Sequence, residues 1–175
     1  MKSSIELREA GYADIVYVAR HMRLIDRTEL YAFDETENPE KLARELTLYE
    51  RYHWCAFIDW RPVTIISAIE QSPTLWRVGM FSTEEWPKVA LSCTRFFYRT
   101  MAPTIYDLGC NRAECRSIVS HTEAHKWLDS LGAMRECTIH DVGPKRESYI
   151  QFSWTREKTK KDWTKRRRNV SLWQA

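Results

Sequence analysis

Residues 110–125 gather the side chains best suited to chemistry: Cys110, Cys115, His121, Glu123 and His125. Two histidines four apart on one helix can share a zinc ion, and two cysteines ahead of them could complete the set. Finger-type sites, however, place about a dozen residues between the Cys pair and the His pair. Only five separate Cys115 from His121. The run His121-Thr-Glu-Ala-His125 also differs from the metalloprotease pattern HExxH, because its Glu123 falls one place later, off the face that the two histidines share. No metal is therefore expected. What remains is acid–base work: His121 can act as a base near neutral pH with Glu123 beside it, or it can cap or pack against the helix that follows. Cys115 and Cys137 read as thiols in strands, and no Ser-His-Asp order or Gly-rich phosphate loop stands in the chain.

The carboxyl end offers a different chemistry. Residues 155–175 hold eight Lys/Arg and two Asp/Glu, a net of +6. Taking these from totals of 27 and 24 leaves 19 basic and 22 acidic residues in 1–154, so the body carries −3 and the whole chain +3. Lys160, Lys161, Lys165, Arg166, Arg167 and Arg168 flank Trp163, and Leu172 and Trp173 follow. Basic residues around an aromatic can bind phosphates by counterion release and stack a base. They can equally dock on an acidic protein, with Leu172 and Trp173 as apolar anchors. A solvated extended tail is the third reading.

These residues must be held by a chain of 175 residues, 43% hydrophobic and 13% aromatic, enough for one ordinary core. The longest apolar stretch, around Val63–Ile69, is far shorter than the roughly 20 residues of a spanning helix. The start, MKSSIELREAGYAD, has charges where a secretion signal needs an apolar core. Five cysteines, an odd number without CxxC spacing, read as reduced thiols of a cytosolic protein.

Periodicity then places the elements. Ser4–Arg8 alternates as a strand, and Ile15, Val18, Met22 and Ile25 predict a helix from Ala13 to about Thr28. Asn38-Pro39-Glu40 is a helix start signal. Residues 53–60, 63–71 and 75–82 read as a strand meander punctuated at Arg61–Pro62 and Ser72–Pro73–Thr74. A helix begins near Pro87, a strand spans Ala113–Ser120, and a short helix Thr122–Leu131 is stopped by Gly132 as a left-handed cap. Met134–Val142 and Ser148–Trp154 close as a hairpin.

This order, and the run His121-Thr-Glu-Ala-His-Lys-Trp-Leu-Asp-Ser-Leu-Gly-Ala133, resemble the GNAT family of N-acetyltransferases, whose signature there reads Asn-x-x-Ala-x-x-Leu-Tyr-x-x-x-Gly-Phe. Ala124, Trp127 and Gly132 match in register. The resemblance implies an α+β fold: a single GNAT-like domain over 1–154 with a mixed, mostly antiparallel sheet and helices on both faces, followed by the basic tail 155–175. It also implies that His121 and Glu123 border the substrate cleft as catalytic candidates. If acetyl-CoA binds, Arg77, Val78, Gly79 and Met80 of the fourth strand would hold it, with Lys88 and Arg95 as further donors.

Three positions depart from the family. Its pyrophosphate loop, Arg/Gln-x-x-Gly-x-Gly/Ala, corresponds to Ser82-Thr-Glu-Glu-Trp-Pro-Lys88, which has no glycine and sets Glu84 and Glu85 where phosphates would lie. Its tyrosine acid corresponds to Leu128, which has no proton to give. His121 and Ala133 stand for its Asn and Phe. The expectation is a GNAT-like shell without ordinary acetyl transfer and without a cofactor. The alternative is an acetyl-CoA-dependent N-acetyltransferase acting on a host protein or small amine.

The run LWRVGMFSTEEWPKVALSCTRFFYRTM, together with the 121–133 segment, further resembles small GNAT-like proteins of podovirus bacteriophages. That resemblance implies a role in virion structure or assembly through a virion or host protein partner bound by the tail, with nucleic acid as another possible partner. It places the chain in the host bacterial cytoplasm or the virion, away from membranes.

Overall fold

A computed structural model describes residues 4–32, 34, 36–48 and 52–156. Segments rich in β-branched and aromatic residues build an antiparallel half-sheet. In it β1 (Ile5–Glu9) pairs with β2 (Tyr52–Ile58), β2 with β3 (Arg61–Ser72), and β3 with β4 (Leu75–Ser82). In the other half β7 (Tyr149–Thr155) lies between β5 (Arg112–Ile118) and β6 (Met134–Ile139), antiparallel to both. The full order is β1-β2-β3-β4-β5-β7-β6. The halves meet where β4 and β5 run parallel, and that pairing covers only Leu75–Arg77 against Arg112–Glu114. Beyond it the two strands part and leave a cleft.

Strand alternation sends successive side chains to opposite faces, and helices cover both. On one face α1 (Tyr12–Arg20) and α3 (Pro39–Thr47) pack Ile15, Val18 and Ala43 on Cys55, Phe57, Ile65 and Phe81. On the other, α4 (Trp86–Phe96) and α6 (Thr122–Ser130) set Val89, Cys93 and Leu128 against Ile66, Ala68, Val78 and Phe152. The fold is thus one α+β domain with a seven-stranded mixed sheet, as the sequence pattern implies. A π-helical turn, Phe97–Met101, joins α4 to α5 (Ala102–Asp107). Pro103 has no N–H to continue the ordinary ladder, and Ala102 N–H reaches back to Phe97 O instead.

The local start and stop signals act as read. Asn38 Oδ1 accepts the Lys41 N–H at 2.8 Å at the head of α3, with Pro39 in its first turn. Gly132, at φ +80°, ends α6, and Ala133 N–H returns to Leu128 O at 3.1 Å.

Two local expectations are corrected. The first hairpin turns at Asp59–Trp60, both at positive φ, and Arg61–Pro62 already belong to β3. The helix expected over 13–28 is two: α1 ends at Arg20, and α2 (Leu24–Leu30) restarts four residues on. Between them Met22 forms an antiparallel bridge with Thr83, and Arg23 N–H donates to Ser82 O at 2.9 Å. The free edge of β4 captures these residues, and that pairing outweighs a modest helix propensity. Among the described residues no helix is long and apolar enough to cross a membrane.

Candidate active site in the cleft between β4 and β5

The cleft has a volume of about 450 Å³, at the lower end of the roughly 300–1,000 Å³ of small-molecule sites. Its backbone wall follows from strand phase. Thr83 N–H donates to Val63 O on the β3 side at 2.8 Å, so Ser82 and Met80 present their backbone groups to the opposite, cleft edge. The β5 pairing has ended at Arg77, and Ser82 is taken by Arg23 and Asp26. Between these limits lies a short open edge at Met80. Arg77, Val78, Gly79 and Met80 all line the cleft.

His121, 6% exposed, stands where β5 gives way to α6. Its Nδ1 is 3.0 Å from Glu29 Oε2 on α2, and Glu29 also accepts the Ser117 hydroxyl at 3.4 Å. Its Nε2 has no hydrogen-bond partner and lies 3.6 Å from Asp26 Oδ1. Glu29 thus orients the ring, and Nε2 is held buried beside Asp26. Glu123 makes no hydrogen bond to His121 and accepts from Arg23 instead. Tyr149 also lines the cleft, opposite Ile118, whose carbonyl accepts the His121 N–H at 2.9 Å. Burial, followed by the charges of Glu29 and Glu147, pushes the Tyr149 hydroxyl above the ordinary phenol range, so it remains a proton donor. Leu128, at the resembled family's tyrosine position, is a buried part of the apolar wall.

An ion-pair network stands at the Ser82 end of the cleft. The Arg23 guanidinium, buried, donates through Nε and Nη2 to Asp26 at 3.0 and 2.9 Å and through Nη1 to Glu123 at 2.7 Å. It also lies 6.0 Å from the ring centre of Trp86. Trp86 opens α4 and Glu123 belongs to the first turn of α6, so Arg23 stands between the starts of both helices. Asp26 completes the group by accepting the Ser82 N–H at 2.8 Å and its hydroxyl at 3.1 Å.

Four amides of the connector from β4 to α4 turn inward. Thr83 N–H goes to Val63 O, Glu85 N–H to Thr83 Oγ1, Trp86 N–H to Thr83 O and Lys88 N–H to Glu85 O, while Pro87 has none to give. Glu85 takes a bidentate pair from Arg61 and a third bond from Lys88 Nζ at 2.9 Å. The Lys88 bond, then the Arg61 charge, hold its carboxyl below the usual range. Lys88 is therefore committed to Glu85 and is not among the cleft-lining residues, and Arg95 is exposed on α4.

His125 donates to Ile118 O at 3.1 Å and is kept neutral by burial. Among the described residues no group of three or more His, Cys, Asp or Glu is placed to hold a metal ion. Burial pushes the Cys115 thiol up to about 12, well out of the thiolate range. The tail candidates Lys160, Lys161, Trp163, Lys165, Arg166, Arg167, Arg168, Leu172 and Trp173 lie outside the described residues. Arg23, Asp26, Glu29 and Tyr149 were not singled out from the sequence, and only the tertiary fold brings them together.

No protein-family model and no curated protein matches the chain. Solved structures do. Ard1 from Thermoplasma volcanium superposes with a TM-score of 0.66 at 13% identity, over 86% of this chain and 97% of its own. Ribosomal-protein-S5-alanine acetyltransferase from Vibrio fischeri gives 0.62 at 18%, over 89% and 97%. An acetyltransferase of the GNAT family from Streptococcus pneumoniae gives 0.62 at 11%, over 87% and 99%. The fold is GNAT-like. At such identities the likeness carries the fold and not the activity.

That fold implies acetyl-CoA, and the residues of the cleft divide over it. The Met80 edge suits an extended, uncharged thioester arm that can add backbone hydrogen bonds. A pyrophosphate does not fit: four connector amides are bound within the chain, Glu84 is exposed beside Glu85, and each nitrogen of Arg23 is already on a carboxylate.

Proposed function

We propose that the chain is an acyltransferase that moves an acyl group from a thioester to an amine in the β4–β5 cleft. The contact that carries this reading is His121 Nδ1 to Glu29 Oε2 at 3.0 Å, beside the open edge at Met80. The amine nitrogen attacks the thioester carbon; the new C–N bond forms as the C–S bond breaks. His121 Nε2 takes the amine proton, and Tyr149 gives its hydroxyl proton to the departing sulfur. The solved structures of similar fold support it, since two of the three compared are acetyltransferases by description. A general base contributes about 10²–10⁴-fold, so His121→Ala should lower kcat on that scale and Glu29→Gln by less. An unchanged rate in His121→Ala would overturn the assignment.

A second reading is favoured by Arg23, whose guanidinium is held by carboxylates at the Ser82 end of the cleft. In it the chain is a degenerate GNAT-fold protein of a bacteriophage that serves virion structure or assembly without acetyl transfer. Its support from outside the cleft is sequence pattern alone. The partner would be a virion or host protein bound by the tail residues 160–173, with nucleic acid as the other candidate. Turnover of any thioester that is lost in His121→Ala would sink this reading. Deleting 155–175 decides between the two partners: steeply salt-dependent DNA binding that vanishes on deletion marks nucleic acid.

A further inference from the structure

We infer that the acyl donor for this cleft carries no nucleotide, and is a thioester on a pantetheine-type arm. The inference rests on the acyltransferase reading above. An arm lying along Met80 has two ways out. The narrow end is shut where Arg77 pairs with Glu114, so the distal part of any donor must leave past Ser82, between the starts of α4 and α6. The groups that await it there are Glu84, Glu85 and Glu123, together with Arg23, whose Nε, Nη1 and Nη2 are all bound to carboxylates. Lys88 and Arg61 are paired to Glu85. Two phosphates brought to this end would find no glycine cradle and no uncommitted guanidinium, and would meet carboxylates at short range. An amide-containing arm without phosphate needs only the backbone edge, which is open. The arm can be free or borne on a carrier protein, and both present the same chemistry to β4.

The test titrates the full chain with S-acetyl-pantetheine and with acetyl-CoA in a calorimeter, and runs both, plus an acetylated carrier protein, as donors with polylysine as amine. The expected result is that acetyl-pantetheine binds at least as tightly as acetyl-CoA. The carrier arm shows which source is preferred, by kcat/KM. Acetyl-CoA binding tenfold or more tightly overturns the inference. Binding of neither thioester overturns the acyltransferase reading itself, and is thereby told apart. Two variants sharpen the result. Glu84→Lys, on the surface, should raise acetyl-CoA affinity severalfold and leave acetyl-pantetheine unchanged; equal effects on both would contradict the placement of the donor. Met80→Pro removes one N–H on the cleft side alone, and should abolish binding of acetyl-pantetheine.

Discussion

Arg23 Nη1 donates to Glu123 Oε2 at 2.7 Å, tying the residue ahead of α2 to the first turn of α6 across the cleft. The same guanidinium is held by Asp26 on its other edge, so one side chain joins a buried ion pair to a surface one. Those two halves differ in worth. The Glu123 side chain is 59% exposed, whereas Asp26 and Arg23 are almost wholly buried. Glu123→Gln should therefore cost less than about 1 kcal/mol. Asp26→Ala strands a buried guanidinium and two Ser82 donors, and should cost about 3–5 kcal/mol. Urea denaturation of the two variants reads the difference; equal losses would refute this division.

Stability should fall in mild acid because of His125. Burial first, then the charge of Arg135, lower its pKa in the folded chain, while the unfolded chain titrates near the ordinary value of about 6.5. The unfolded state thus binds the proton more readily. The stabilisation is complete above about pH 6.5 and is lost as pH drops through the folded value. His125→Gln can keep the donated bond to Ile118 O while removing the titration, so its unfolding free energy should vary less between pH 7 and 5. A variant as acid-sensitive as the parent would assign the slope elsewhere.

The thiols should separate by accessibility. Cys55, Cys93 and Cys110 are buried, and burial pushes the Cys55, Cys93 and Cys115 thiols up to about 12. Cys137 is exposed on β6. A disulfide reagent should therefore titrate one thiol quickly in the native protein and five in denaturant, and Cys137→Ser should remove the fast phase. Two fast thiols in the native protein would show that a second cysteine is open to solvent.

How much of this stood in the sequence depends on range. Asn38, Pro39 and Gly132 act on their own neighbours, and their meaning was readable in place. The break at residues 21–23 was not: Ile15, Val18, Met22 and Ile25 keep helical spacing across it, with no glycine or proline to mark a stop. Its cause is the edge of β4 at Ser82, some sixty positions away, left open because β4 and β5 part after Arg77. The same distance hid the base's partner. His121 and Glu29 are 92 positions apart, and Glu29 reads locally as one more polar residue on a helix. Pairing His121 with the nearby Glu123 was the natural expectation, but the two side chains take different partners, one Glu29 and the other Arg23.

Tyr149 provides the most discriminating check on the chemistry. Leu128 cannot donate a proton to a leaving sulfur, and Tyr149, which also lines the cleft, can. Its hydroxyl is raised by burial, so it carries its proton throughout the neutral range. An alkyl thiolate is the more basic leaving group and gains most from a donated proton, whereas an aryl thiolate leaves without help. Tyr149→Phe should therefore lower kcat by about 10²-fold or more with an alkyl thioester, on the scale of general acid catalysis. With an aryl thioester the same variant should be close to the parent. A purely structural role would depress both donors alike, and equal losses would remove Tyr149 from the mechanism. The comparison needs no knowledge of the natural amine, because the acid acts on the sulfur.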